Sequence, residues 1–425
     1  MANRLLRWIV AAFALAFGAS ASAQTRITLW SHWADHESKV AFVNDAIKRF
    51  EARNPGAKVE VTWYQKGPLY AALKTALRAG QAPDIFYAET DQTEYIDNGF
   101  LYDLSRDLAW GNVEPWAKEA WTFGKGVYGF PLEAWTVEMY YNRDLLKKFG
   151  APLPDSGQLG QAQFVELLRK AAASGTTAVV AGVGDRPYPG AFLVHEPLLK
   201  KLGKEDYAKL LKGQLAWTDP RVVDVLRWVR AAFVETKALP RDFTTLKLGD
   251  AHYYFHTKPG GLMFPMGSFY PSRAFNPTDK GGEPANFPLG IMQFPAMDGG
   301  RCNHCKTIAV GGSYVVNAAS KNPRLAVAVL NEMATVEMGT RWLRETLVQT
   351  GIKSDASKVS GERAYYFRDL ERASQGVEYF IGLPSQHLTG QAKEVFAQVM
   401  NVALPAGLIG PEDAARRMQA AMAAK

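Results

Sequence analysis

Carboxylates and polar groups sit beside aromatic rings at several points where a strand-like stretch of this chain ends. Ser31-His32-Trp33 follows the stretch 26–30, and Glu89-Thr90-Asp91 follows the apolar triplet 85–87. Ser268-Phe269-Tyr270 comes just after a stretch that ends at Met266, and Gly311-Gly312-Ser313-Tyr314 lies within the strand-like run 307–316. Aromatic planes stack on apolar C–H faces, while carboxylates, amides and His hydrogen-bond to hydroxyl edges. A sugar or polyol offers both surfaces, and aromatic residues make up 12% of the chain, with 11 Trp and 17 Tyr. Each group also has a plainer role open to it. Trp33 could cover the helix that follows, Glu89 and Asp91 could be charges at a helix N-terminus, and the glycine pair could be only a strand entry. Trp217, just before Asp219-Pro220, reads as packing.

Other chemistries compete for the same residues. His32 and His36 are four apart, and Cys302, His304 and Cys305 cluster, so together they could hold zinc or copper. Two free thiols with stoichiometric zinc would establish that alternative. Glu89, Asp91 and Glu133 could supply the carboxylate pair of a carbohydrate-active enzyme, which holds two such groups roughly 5–10 Å apart. No Ser–His–Asp signature, Gly-x-Ser-x-Gly or phosphate loop is present. A redox role for Cys302-x-x-Cys305 needs a helix N-terminus to lower the thiol pKa, whereas the residues that follow read as a strand.

Strands and helices must alternate to bring these residues together. Residues 26–30, 58–63 and 85–87 read as strands. Between them lie a helix carrying Val40, Val43, Ile47 and Phe50 at helical spacing, with Asp35 as its expected N-cap, and a second helix over 70–78. That order predicts parallel strands joined by right-handed crossovers. Farther on, helices are expected over 163–173, after Asp219-Pro220, after Asn322-Pro323 and from Pro411. Strands are expected over 260–266 and 289–294.

The first residues read as an export signal. Arg4 and Arg7 precede the apolar run 8–17, and Ala21-Ser22-Ala23 offers small residues for cleavage after Ala23. The run is shorter than the roughly 20 residues a membrane span needs. Removing 23 of the 425 residues leaves 402, enough for two domains. The formal charge of +7 has no Lys/Arg-rich block, which argues against a nucleic-acid partner. In an oxidising compartment the Cys302/Cys305 pair is most simply a local disulfide.

An ordered set of segments resembles extracellular solute-binding protein family 1, the maltose-binding type of receptor for ABC importers. The set begins with Ile27-Thr28-Leu29-Trp30, continues with Phe50-Glu51-Ala52-Arg53-Asn54-Pro55-Gly56, and includes Gly80-Gln81-Ala82-Pro83-Asp84-Ile85-Phe86. Tyr128-Gly129-Phe130-Pro131 and Tyr141-Asn142-Arg143-Asp144-Leu145-Leu146 are similar to another pair of family elements. Gly311-Gly312-Ser313-Tyr314, Ser320-Lys321-Asn322-Pro323 and Pro411-Glu412-Asp413-Ala414-Ala415 complete it. The family's Pro-x-x-Trp is missing from Pro154-Asp155-Ser156-Gly157-Gln158-Leu159-Gly160, and Cys302-Asn303-His304-Cys305 has no family counterpart.

The resemblance implies an α/β chain of the periplasmic binding protein-like II fold, with two lobes, central mixed sheets and a multi-crossing hinge. Crossings are expected near 131–133, 289–294 and 337–340. These divide the chain into a leader (1–23), an N lobe (24–132 plus 292–338) and a C lobe (133–291 plus 339–425). Glu133 and Trp135 would then lie at the first crossing. The implied function is a monomeric periplasmic receptor, not an enzyme, that takes a sugar or polyol and serves the membrane permease of an ABC importer without cofactor or metal. Its expected ligand contacts are His32, Trp33, Glu89, Asp91, Glu133, Trp135, Ser268, Phe269, Tyr270, Gly312 and Ser313.

Overall fold

The computed structural model describes residues 24–424 except 151, 152, 154–156, 187, 258 and 259. The expected leader and the Pro154-Asp155-Ser156 part of the divergent stretch lie outside the described residues. The first three strands are β1 (Thr25–Ser31), β2 (Ala57–Trp63) and β3 (Ile85–Ala88). β1 pairs in parallel with both of the others, as the alternation of strands and helices predicts. In β2, buried Ala57 and Val59 alternate with exposed Lys58 and Glu60, the period of a strand with one covered face. The helices Glu37–Arg53 and Lys66–Arg78 make the crossovers. The first begins one turn-residue later than expected: His36 occupies the cap position and gives no side-chain bond, so Asp35 is not the cap.

The next strands are β4 (Phe130–Pro131), β5 (Ala134–Asn142), β6 (Thr177–Val179), β7 (Gly261–Gly267) and β8 (Leu289–Met292). After them come β9 (Cys305–Val310), β10 (Ser313–Val316) and β11 (Glu378–Ile381). One mixed sheet has the order β2-β1-β3-β10-β4, and the other has β11-β9-β5-β7-β6 with β8 also on β5. Each sheet builds its own hydrophobic core, the first around Phe42, Phe50, Phe86 and Trp342, the second around Phe164, Leu198, Leu226 and Met263.

Two of the expected lobe boundaries shift. Pairing of β8 and β9 with β5, and burial of Met292, Phe294 and Met297 in the second core, put the stretch 292–310 with the second sheet rather than the first. The single strand expected over 307–316 is two strands, one in each sheet, and Gly311-Gly312 carries the chain between them. The expected crossing at 337–340 lies inside the helix Val336–Thr346, whose Trp342 meets Phe42 edge-on at 5.2 Å in the first core. Ile352 is buried in the same core, so the chain returns to the second lobe only after it. A helix running through the expected position keeps the chain in one lobe.

Two of the sequence segments have local explanations. Asp84 accepts hydrogen bonds from the backbone N and the hydroxyl of Thr28, each at 2.8 Å, and from Ser320 Oγ at 2.6 Å, which ties β1, the start of β3 and the turn after β10 together. Asn142 accepts from the backbone N of Asp144 and of Leu145, capping the short helix Arg143–Lys148. The expected helix starts at Pro220, Pro323 and Pro411 are all observed.

Candidate functional site

The two sheets face one another along matching edges. In the first, β1 and β3 run out at Ser31 and Ala88, and antiparallel β10 starts beside them, with Ser313 opposite Ala88. In the second, parallel β6 and β7 end at one edge, as do parallel β9 and β11, while antiparallel β5 begins there, Val137 opposite Gly267. The short links Leu132-Glu133 and Gly311-Gly312 join the edges and are bonded to each other: Glu133 N donates to Gly312 O at 2.8 Å, and Gly311 N to Glu133 O at 2.9 Å. Ligands in open α/β sheets bind beyond the carboxyl ends of strands, and both sets of ends open onto this interlobe edge.

His32, Glu89 and Asp91 follow the first sheet's strands, and Glu133, Trp135 and Phe269 sit at the link and on the second sheet's edge; all six are partly buried. Trp135 and Phe269 meet edge-to-face, with ring centroids 5.5 Å apart. The His32 ring lies over Tyr87 at 3.9 Å, and its Nδ1 is sealed from solvent without a hydrogen-bond partner.

The carboxylates differ in their surroundings. Glu89 accepts from Lys66 Nζ at 2.5 Å, Tyr87 OH at 2.7 Å and Tyr70 OH at 2.8 Å. Burial works to raise its carboxyl, but Lys66 and these hydrogen bonds outweigh it and hold Glu89 ionised below the usual range. Glu133 pairs with buried Lys39, whose ammonium lies over the rings of Trp33 and Trp342 at 5.3 and 5.5 Å. Asp91 differs from both: burial and then the charge of Glu89 push its carboxyl up.

Five expected contacts are occupied elsewhere. Trp33 is 1% exposed and packs against Tyr87, Tyr314 and Trp342, forming a floor beneath the edge. Ser313 accepts from Trp121 Nε1 and donates to Gly311 O. A side chain on Gly312 would come within 2.7 Å of the Trp33 ring, so close packing fixes that glycine. Ser268 is buried between Thr136 N and the Gln349 amide. Tyr270 is a core residue: the turn after β7 carries it inward, where it stacks on Tyr140 at 4.4 Å and donates to Glu283. As expected, Trp217 is also fully buried.

The residues of the metal alternative do not converge. Among the described residues, the one group close enough to share an ion is Cys302, His304 and Glu378. Cys302 is joined to Cys305 by a disulfide, and His304 pairs with Glu378 at 3.0 Å. Cys305 opens a strand, so the pair has no helix N-terminus beyond it.

Several residues at the edge carry no motif. Lys66 and Tyr70 are four apart on one helix face, and Lys39 lies on the helix after His32. Gln386 donates to Thr90 Oγ1 and Lys393 Nζ to Asp91 O, the second at 3.1 Å, so the C lobe touches the loop after β3 directly. Arg186, beyond β6, acts electrostatically on His32, and Arg273, beyond β7, on His36. Their only signal in the sequence was position after a strand.

The bacterial extracellular solute-binding protein profile matches residues 33–340. The chain belongs to that family. It is 30% identical over 132 residues to the maltotriose-binding protein of Pyrococcus abyssi, covering 29% of this chain and 27% of that one. It is 25% identical over 155 residues to the multiple sugar-binding protein of Streptococcus mutans, covering 36% and 35%. The chain thus aligns with about a third or less of the length of these curated relatives. Among solved structures, a protein from a study of xylan utilisation by Caldanaerobius polysaccharolyticus superposes with a TM-score of 0.78 at 18% identity, over 93% of this chain and 99% of its own. These likenesses establish the two-lobe binding-protein fold.

Proposed function

We propose that this family member is an exported receptor that captures a sugar or polyol between its lobes and delivers it to the membrane permease of an ABC importer. The observation that carries the reading is the pairing of half-buried Trp135 and Phe269 with Glu133, Asp91 and His32 along the interlobe edge. Rings supply stacking faces and the polar groups meet hydroxyl edges. Relatives named for maltotriose and multiple sugars support it. Residues 4–23 supply the export signal, and among the described residues no helix is long and apolar enough to cross a membrane. Binding without turnover, as a monomer, completes the reading.

A thermal-shift screen of the purified mature chain against mono- and oligosaccharides and polyols tests it. Ligand at 100 times Kd adds about 2.7 kcal/mol to the folded state. Trp135→Ala with Phe269→Ala should weaken the best ligand about tenfold or more through lost stacking area. Absence of any shift at millimolar sugar or polyol would remove the sugar claim, and sustained release of product from a bound oligosaccharide would remove the receptor claim.

A further inference from the structure

Resting on the reading of this edge as a sugar site, we propose that its ligand is an acidic sugar, one that carries a carboxylate or a phosphate, and that Arg186 and Arg273 hold the anionic group against His32. The topology carries both arginines to one edge: parallel β6 and β7 end there, and each arginine lies in the segment that follows one of them. Among the described residues, neither arginine has a hydrogen-bonded or ion-paired carboxylate. Every other cation of this edge with a carboxylate close by is matched: Lys39 by Glu133 and Lys66 by Glu89. Lys393 is held by Asp91 O.

Across the cleft stands His32, with its sealed, unpartnered Nδ1. Burial depresses its pKa most, followed by the positive charges of Lys66, Lys39, His36 and Arg186. Arg273 acts in the same direction on His36, whose opposing neighbours are Asp35 and Glu133. With Lys39 and Lys66 already matched, Arg186 and Arg273 are the charges that the C lobe adds to this edge. An anion held between them and the N-lobe edge gains that attraction only when the lobes close. This is a differential affinity for the closed form, the quantity a ligand needs to shift the lobe equilibrium. The helix Tyr188–Leu211 starts two residues beyond Arg186 and adds the positive end of its dipole. Of the carboxylates at this edge, Glu89 and Glu133 are already paired with lysines, and the Asp91 carboxyl is pushed up by burial and by Glu89. Arginine presents a planar fork of donors that matches carboxylate and phosphate oxygens.

Calorimetric titration of the full mature chain with matched pairs tests the proposal: galacturonate against galactose, glucuronate against glucose, and glucose 6-phosphate against glucose, with their disaccharide counterparts. The acidic member of at least one pair should bind tenfold tighter or more, and its advantage should shrink as salt is raised from 0.05 to 0.5 M, on the order of the change in screening length. Which pair responds separates a carboxylate from a phosphate. Arg186→Gln with Arg273→Gln should abolish the acidic advantage, and the Arg186→Lys, Arg273→Lys form, which keeps the charge, should retain part of it. Neutral members binding as well as or better than acidic ones would overturn the anionic-ligand proposal and leave the sugar reading standing. Failure of every member of both series would overturn both.

Discussion

Replacing Lys306 with Met should destabilise the second lobe in a pH-dependent way, because it strands a buried carboxylate behind the site. Lys306 Nζ donates to both oxygens of Glu138, at 2.9 and 3.0 Å, to Ala373 O at 3.0 Å and to Ser374 Oγ at 3.2 Å. Both side chains are essentially sealed from solvent, at 2% and 0% exposure. Glu138 also accepts from Thr136, whose backbone N bonds Ser268 at the cleft edge. Burial already pushes the Glu138 carboxyl up, and Lys306 is the strongest influence holding it down. Breaking a buried pair from one side costs about 3–5 kcal/mol near neutral pH. Without Lys306 the folded-state pKa rises further, while the unfolded value stays near 4.3. The folded form then binds more protons than the unfolded form at intermediate pH, so stability must fall as pH rises through that window and recover below it. Urea unfolding of wild type, Lys306→Met and Lys306→Met with Glu138→Gln, at pH 4.5 and 7.5, checks this. The single variant should lose most at pH 7.5, and the double variant should recover much of that loss with little pH dependence. A pH-independent loss, or a double variant no better than the single one, would refute the stranded-charge account and point to lost packing alone.

Acid should destabilise the protein from about pH 6.5 downward. Burial depresses His32 and His252 well below their ordinary value and holds His195 at about 3, so the unfolded chain takes up protons that the folded one refuses. Each such group steepens the loss by up to about 1.4 kcal/mol per pH unit below 6.5, measurable as a falling urea midpoint between pH 6.5 and 5; a flat profile there would contradict the burial. Cutting the disulfide with Cys302→Ser and Cys305→Ser should cost only about 2 kcal/mol or less, since it closes a very short loop. Lys200 still grips Asn303 O at 2.7 Å and Cys305 O at 2.9 Å from inside the lobe. Chemical denaturation gives the cost, and ligand affinity measured in parallel should be unchanged.

What the sequence exposed and what it hid follow from the reach of the signals involved. Strand–helix alternation over 25–88 is local, so the parallel pairing of β1, β2 and β3 was legible from it. The exchange at Gly311-Gly312 was not, because residues on either side both read as apolar strand, and which sheet each joins is decided by partners about 170 and 225 residues earlier in the chain. The same limit acted on the site. A strand end announces that a side chain stands near the cleft, but not whether it turns outward. Phe269 and Tyr270 are adjacent, yet one stays on the edge beside Trp135 while the other goes inward to Glu283. Carboxylates drew attention by type, and the structure shows Glu89 and Glu133 already matched by Lys66 and Lys39. Pairing subtracts charge that composition counts. Arg186 and Arg273, inconspicuous among 49 basic residues, have no matching carboxylate among the described residues. Which charges are left over once the internal pairs have formed is a property of the folded arrangement and not of any motif.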